Sequence, residues 1–303
     1  MTSLEQLVHV GGTRVREHAP FGAHTTYRVG GTVRALVTLS SLADLEELGA
    51  LMNDCGLEPY VLGNGSNLLV ADGEHDVLGL HLEGEFLELH TRDEPDGVIV
   101  TAGAGLDLPI AARRLAKSGV VGFEWAVGVP GTFGGAAVMN AGGHGSDMDA
   151  SLTSLTAWNR GRSRTWTHDE LAFGYRRSAL TTSDLVTFVT LRLRAGDNEA
   201  SQEMIREIVR WRRQHQPGGA NAGSAFRNPE GDHAGRLIEE AGCKGLRVGT
   251  AVVSEKHANF IIADTDGRAN DVYELLVHVQ DRVRAHSGVT LHSEHRFLGF
   301  ESL

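Results

Sequence analysis

Val61-Leu62-Gly63-Asn64-Gly65-Ser66-Asn67-Leu68-Leu69 is an apolar run interrupted by five small or polar residues. Pro59 to Leu62 reads as a short strand, and Gly63, Asn64, Gly65, Ser66 and Asn67 read as the turn that follows it. Glycine lets the backbone approach a bound group closely, so a row of its amides suits a diphosphate. Ser66 and Asn67 bring side-chain hydrogen-bonding groups to the same turn. A second turn, Gly128-Val129-Pro130-Gly131-Thr132-Phe133-Gly134-Gly135, leads into Ala136-Ala137-Val138-Met139-Asn140-Ala141-Gly142-Gly143. Neither is a Walker loop, for no Gly-Lys-Ser/Thr closes it. Neither is a Rossmann fingerprint, because Leu68 stands where the third glycine belongs, and Leu108 breaks the same pattern after Gly103 and Gly105. On spacing alone, both stretches read equally well as sharp bends with no ligand.

Outward from these turns, the chain alternates strands with a few helices. Ser41 caps a helical pattern through Leu42, Leu45 and Leu48 that stops at Gly56. Val98 to Gly103 reads as a buried strand, and Asp107 with Pro109 opens a helix ending at Gly119. Val186 to Leu193 is strand-like. A boundary falls near Gly196, followed by a helix that stops before Pro217. Asn270 to Ser287 is the cleanest helix, with Val272, Leu275, Leu276, Val279 and Val283 on one stripe. A final strand is expected from Val289, with Leu291 and Phe297 facing one way and His292, Glu294 and Arg296 the other. Three parts are therefore expected: a polar N-terminal segment 1–20, a domain over 21–196 and a domain over 197–303.

The 303 residues give ample chain to bury a core. Glycine numbers 38, about one in eight against a usual ~7%, and it is aperiodic. A net charge of −11 argues against a general binder of nucleic acid or anionic membrane. An anionic substrate then needs a local basic pocket, for which Arg177, Arg212, Arg213, Arg236, Lys244, Arg247 and Lys256 are candidates. Two cysteines, Cys55 and Cys243, make neither a disulfide framework nor a metal site, and His292 with His295 lacks further ligands. The opening residues lack a signal-peptide pattern, and no apolar run approaches the ~20 residues of a spanning helix. The expected compartment is the cytosol.

Three distant segments carry chemistry: Phe173-Gly174-Tyr175-Arg176-Arg177-Ser178, Gly223-Ser224-Ala225-Phe226-Arg227-Asn228-Pro229 and Ser293-Glu294-His295-Arg296-Phe297-Leu298-Gly299. They supply a guanidinium, a hydroxyl and a carboxylate. A guanidinium grips a carboxylate with paired bonds that strengthen as charge develops. A serine hydroxyl is a poor acid, so it suits only a very basic acceptor such as a carbanion. Taken alone, Arg176 beside Arg177 reads as a solvated pair, Ser224 as a turn residue and Glu294 as an edge charge.

Together, in this order, the motifs resemble the UDP-N-acetylenolpyruvoylglucosamine reductase (MurB) family, from about residue 21 to 300. The resemblance implies an α+β fold: a vanillyl-alcohol-oxidase (PCMH)-type FAD-binding domain of two lobes plus a C-terminal α+β substrate-binding domain. It implies noncovalent FAD, with NADPH as co-substrate, and reduction of UDP-N-acetylglucosamine enolpyruvate to UDP-N-acetylmuramate for peptidoglycan. Cofactor contacts fall on Gly63, Asn64, Gly65, Ser66, Asn67, Gly128, Pro130, Gly131, Gly134, Gly135, Asn140 and Gly142. The implied catalytic groups are Arg176 for the carboxylate, Ser224 as proton donor and Glu294 as stabiliser of the enolic form. Tyr175, Arg227 and Asn228 are placed near the substrate, and no metal is implied. Glu294 must be partly protonated or bonded through water to do this, and burial raises a carboxyl pKa.

The continuous Val252 to Phe260 segment after Gly249 matches the shorter, type II form. The family usually has lysine where Arg227 stands, and His292 and His295 are less usual beside the glutamate. His144 lies in a glycine loop, but covalent flavin attachment is not the family's habit. The competing readings are another FAD-dependent oxidoreductase of this fold and a noncatalytic flavin- or nucleotide-binding protein.

Overall fold

The computed structural model describes residues 2–181 and 183–303; Met1, the first residue of the polar N-terminal segment, lies outside them. The chain forms two units that do not follow chain order. One comprises 1–17, 35–63 and 76–212, the other 18–34, 64–75 and 213–303. Each has its own apolar core.

In the first unit, an antiparallel sheet takes the order Arg162–Thr167, Leu152–Asn159, Leu185–Ala195, Gly97–Gly103, Leu89–Glu94. Val98, Val100 and Ala102 are buried at alternate positions of Gly97–Gly103, as the two-residue strand period demands. Glu58–Leu62 pairs in parallel with Val77–His81. The helix Leu42–Asp54 starts at Ser41 with a reciprocal cap: the Ser41 hydroxyl accepts from the Asp44 amide, and the Asp44 carboxylate accepts from the Ser41 amide, both at 3.1 Å. The helix Leu108–Lys117 opens at Asp107 with proline in its first turn and stops before Gly119. Both agree with the sequence reading.

The segment read as weakly patterned holds a helix, Ser3–Gly11, with a capping box between Thr2 and Glu5. Leu7 is fully buried there, and Leu4 and Val8 pack against the same core. That i, i+3, i+4 spacing is the helical signal; the short length and polar surroundings hid it. Arg14 then joins the two helices, donating to Gly11 and to the carboxylates of Asp44 and Glu47.

In the second unit, the helix Ala269–Ser287 buries Val272, Leu275, Leu276, Val279 and Val283, the stripe read from sequence. Gly288 ends it in the left-handed conformation. The helix packs on a sheet of Arg247–Val248, Ala251–Val253 and Ile261–Ala263. The expected final strand is shorter than read: only Arg296–Leu298 is a strand, paired in parallel with Leu68–Val70. Just before it, the amides of Ser293, Glu294 and His295 go to three different partners, the Leu303 carbonyl, the Ala225 carbonyl and the Ser293 hydroxyl, so no ladder forms there. Alternation survives, with Leu291, Ser293 and His295 buried and His292 and Arg296 exposed.

Burial opposes the charge on Asp44, but the Ser40 and Ser41 amides and Arg14 hold its carboxyl below the usual range. Ser41→Ala is expected to cost about 1 kcal/mol of stability in urea denaturation. A carboxyl depressed in the folded state stabilises above its unfolded pKa and loses that contribution as pH falls through the folded value. The stability deficit of Asp44→Asn relative to wild type should therefore shrink on acidification below pH ~4.

Candidate active site

The first unit holds Gly63 and the second glycine turn. A Cβ on Gly63 would lie 2.6 Å from the Thr132 hydroxyl, so the two turns meet where only glycine fits. Thr132 caps the helix Phe133–Met139, accepting from the Gly135 amide at 3.4 Å. The Phe133 and Gly134 amides donate to Leu106 and Ala104 carbonyls, so both hold the turn itself rather than stand open. The two helical glycines differ. A Cβ on Gly134 would lie 3.1 Å from the Ala104 Cβ, whereas a Cβ on Gly135 meets only Thr132, at 3.6 Å. Gly135 is also exposed. A helical glycine costs about 1 kcal/mol relative to alanine, and packing within the chain does not require this one. A bare, approachable backbone at Gly135 fits the close approach of a flat or anionic group.

Asn140 closes this helix in the left-handed conformation. Its amide nitrogen donates to the Gly174 carbonyl at 3.2 Å, and its oxygen accepts from the Asp149 amide at 3.0 Å. Ser178 donates to the Val138 carbonyl at 2.9 Å. The glycine helix is thereby tied to the segment carrying Tyr175 and Arg176. Gly174 and Arg177 exchange both backbone hydrogen bonds at 3.1 Å, so Tyr175 and Arg176 occupy the two central positions of a tight turn. Arg176 has φ +57°, a left-handed setting that glycine or asparagine normally fills. Backbone strain in a bulky residue at a site is a pointer to function. Its guanidinium lies 5.6 Å from the centre of the exposed Tyr175 ring.

Beyond Asn140, Gly142–Gly143 and Ser146–Asp147 form a hairpin, and a Cβ on Gly142 would fall 2.5 Å from the Asp147 Cβ. His144 and Gly145 at its tip both have positive φ, as a two-residue hairpin turn requires. The His144 ring packs edge-on to Trp211 and fills the space beside Gly128. Burial and nearby Arg212 lower its pKa. Of the remaining cofactor candidates, Pro130 and Gly131 lie in the turn before Thr132, where the Gly131 carbonyl accepts from the Leu108 amide at 2.9 Å.

The second unit holds Asn64, Gly65, Ser66 and Asn67 with Ser224 and Glu294. Gly65 has φ +56°, and a Cβ there would lie 2.6 Å from the Thr25 Cα, so both conformation and space demand glycine. Asn67 faces another segment: its amide nitrogen donates to the Glu294 carbonyl at 2.9 Å, and its own carbonyl accepts from the Arg296 amide at 2.8 Å. Residues 225–227 run antiparallel to 292–294. The Arg227 amide donates to the His292 carbonyl and the Glu294 amide to the Ala225 carbonyl, each at 2.9 Å. Ser224, half-buried, thus directly precedes the residue whose carbonyl holds Glu294.

Buried Asn259, given no role by the sequence reading, grips both sides of Phe226. It accepts from the Phe226 amide at 2.9 Å and donates to its carbonyl at 2.8 Å. His295 and Tyr27 were likewise missed as a pair, since they are distant in sequence; their bond is 2.9 Å long and buried. Asn228 caps the helix Ala234–Glu240 by accepting from the Ala234 amide at 3.0 Å, and Arg227 is exposed. Several candidate cations already have carboxylate partners. Arg236 pairs with Asp232 and Glu240, Lys244 with Glu239 and Arg247 with Asp264. Lys256 donates to the Arg213 carbonyl at 2.6 Å. Among the described residues, no cluster of three or more potential metal ligands occurs.

Gly65→Ala should destabilise by about 3 kcal/mol, combining strain with a backbone clash. Gly223→Ala, at φ +77° with open space around the new methyl, should cost only the strain, about 1 kcal/mol. Equal losses in urea denaturation would refute this distinction.

Residues 33–164 match the family model of an FAD binding domain, and residues 214–298 that of the UDP-N-acetylenolpyruvoylglucosamine reductase C-terminal domain. The chain is 42% identical over 289 residues to UDP-N-acetylenolpyruvoylglucosamine reductase 2 of Symbiobacterium thermophilum, covering 94% of this chain and 92% of that one. Identity to the reductase of Synechococcus sp. is 41% over 298 residues, covering 95% and 94%. The crystal structure of the reductase (MurB) from Thermus caldophilus superposes with a TM-score of 0.80 at 36% identity, over 94% of this chain and 99% of that one. Matched along nearly its whole length in both sequence and fold, the chain belongs to the UDP-N-acetylenolpyruvoylglucosamine reductase (MurB) family, with an FAD-binding domain of the PCMH type and that family's C-terminal domain.

Proposed function

We propose that this chain is an FAD-dependent UDP-N-acetylmuramate dehydrogenase, reducing UDP-N-acetylglucosamine enolpyruvate with NADPH for peptidoglycan precursor synthesis. The observation that carries the reading is the backbone pairing of the Ser224 and Glu294 segments, with the Glu294 amide on the Ala225 carbonyl. It gives a hydroxyl and a carboxyl a common, buried support. Bound FAD supplies hydride transfer, and the glycine-rich stretches Gly63–Asn67 and Gly128–Gly135 are its proposed backbone contacts, with the open face of Gly135 the best fit. Asn140 and Gly142 are proposed to shape that contact, Asn140 through its hydrogen bond to the Gly174 carbonyl at the start of the Tyr175–Arg176 turn.

Arg176 is proposed to hold the substrate carboxylate, a task for a rigid fork of donors rather than a point charge. Ser224 gives its proton to the carbon next to that carboxylate, and Glu294 steadies the charge spread into the carboxylate. Tyr175, Arg227 and Asn228 are proposed substrate contacts; Arg227 supplies a permanent positive charge for the diphosphate. With Arg236, Lys244 and Arg247 already paired, Arg227 is the stronger candidate. The proposed division gives FAD binding to 21–196 and substrate binding to 197–303, with 1–20 leading in. The continuous Val252 to Phe260 segment after Gly249 supports the type II form. Among the described residues, no helix is long and apolar enough to cross a membrane, and a cytosolic setting fits a nucleotide-sugar substrate.

Anaerobic addition of NADPH should bleach a flavin band, and UDP-N-acetylglucosamine enolpyruvate should restore it. Bleaching without recovery would favour another flavin oxidoreductase of this fold; no flavin band even with added FAD would favour a noncatalytic protein. Ser224→Ala should keep the bleaching rate and lose product formation by about 10²–10⁴-fold. Equal survival of both steps would remove Ser224 as proton donor. Arg176→Lys should slow the second step by tenfold or more, since it loses the paired bonds.

A further inference from the structure

We propose that Tyr27, His295 and Asn67 form a hydrogen-bonded chain that positions Glu294 for the proton-handling step. This inference rests on the role assigned to Glu294 above. His295 follows Glu294 directly, yet its side chain lies on the opposite, inward side, 5% exposed. Its Nε2 is 2.9 Å from the hydroxyl of Tyr27, which is fully buried, and its Nδ1 is 3.4 Å from the Asn67 amide oxygen. The rings of Tyr27 and His295 meet edge to face at 5.5 Å, with Phe297 closing another side.

The direction of every bond in this chain follows from its last member. The Glu294 carbonyl can only accept, so the Asn67 group facing it at 2.9 Å is the NH₂. The oxygen of Asn67 therefore faces His295 and can only accept, which places the ring proton on Nδ1. Nε2 is then bare and accepts from the Tyr27 hydroxyl. The result is one polarised sequence: Tyr27 hydroxyl to His295, His295 to Asn67, Asn67 to the Glu294 carbonyl. Bonds aligned head to tail in a buried setting reinforce one another. Burial also pushes the His295 pKa down to about 4, which keeps the ring neutral as the chain requires. It likewise raises that of Tyr27, keeping the hydroxyl a donor.

Glu294 is thus held on both sides of its backbone, by the Ala225 carbonyl at its amide and by Asn67 at its carbonyl. The Ser293 hydroxyl adds a third restraint, donating to the Ala225 carbonyl at 3.2 Å and accepting from the His295 amide at 3.0 Å. Without His295, the Asn67 oxygen loses its donor, and the bond to the Glu294 carbonyl alone orients the amide. Its hold on Glu294 then competes with rotation.

The test compares Tyr27→Phe, His295→Phe and His295→Gln in the FAD-loaded enzyme, measuring the two half-reactions separately along with kcat and KM. Tyr27→Phe and His295→Phe should leave flavin bleaching by NADPH unchanged. They should slow reoxidation by UDP-N-acetylglucosamine enolpyruvate about 10–100-fold, in kcat rather than KM. His295→Gln, whose amide can accept from Tyr27 and donate to Asn67, should recover most of the rate. Should His295→Phe fail to fold, Tyr27→Phe carries the test, because it removes a single oxygen. Equal slowing of both half-reactions, an unchanged second one, or no recovery with glutamine overturns the proposal. Glu294→Gln separates the two levels. If it slows reoxidation while the Tyr27 and His295 variants do not, the positioning chain is wrong and the role of Glu294 stands. If it has no effect, that role fails and this inference fails with it.

Discussion

A buried stretch of extended backbone outside any sheet must find an acceptor for each amide separately, because an unmet buried donor costs about 1–3 kcal/mol. Residues 293–295, just before the last strand, are such a stretch. The Ser293 amide goes to Leu303, Glu294 to Ala225 and Arg296 to Asn67, while the His295 amide goes to the Ser293 hydroxyl. Partners from three distant places, and one from within, converge on four consecutive residues. The second unit arranges its loops around that need: the Asn67 turn, the Ser224 segment and the C-terminal residues all meet there. The position of Glu294 is a by-product of satisfying its neighbours.

Glycine performs two separate tasks in this chain. At Gly63, Gly65 and Gly142 the missing side chain is displaced by protein atoms, so these glycines are needed for the fold whether or not anything binds. At Gly135 the missing side chain leaves exposed backbone and little else. A glycine-rich turn is thus not uniformly a binding motif. Most of its residues build the bend, and a few leave the surface bare.

Much of this was legible from residue order. Ser41, Gly56, Asp107, Pro109, Gly119 and Gly288 punctuate helices by local rules, and the stripe from Val272 to Val283 needs no partner to be recognised. Ser224 and Glu294 stood out through their motifs, and the structure puts their segments side by side. What stayed hidden was set by distant partners. The chain after Val289 has strand-like alternation, but a ladder requires a neighbour that sequence does not name. Asn259, Tyr27 and His295 carry no local signal, because their function lies in bonds to residues far along the chain. The helix Ser3–Gly11 was missed for another reason: four apolar side chains in nine residues, one of them the exposed Val10, give a faint period, rescued only by burial against a core.

The parallel pairing of Leu68–Val70 with Arg296–Leu298 bears on how the protein is made. The Asn67–Glu294 bond beside it joins residues 227 positions apart. Contacts so remote slow folding, because the intervening chain must be ordered before they form. On the ribosome, Tyr27, Val29 and Leu69 emerge early, yet the core they join is completed by Leu276, Val283 and Leu291. Those apolar side chains must wait, uncovered, until nearly all of the polypeptide has been synthesised. A C-terminal fragment cut at residue 213 would lack the strand that its own last strand pairs with, so the part that resembles an independent domain in sequence is not self-sufficient in structure.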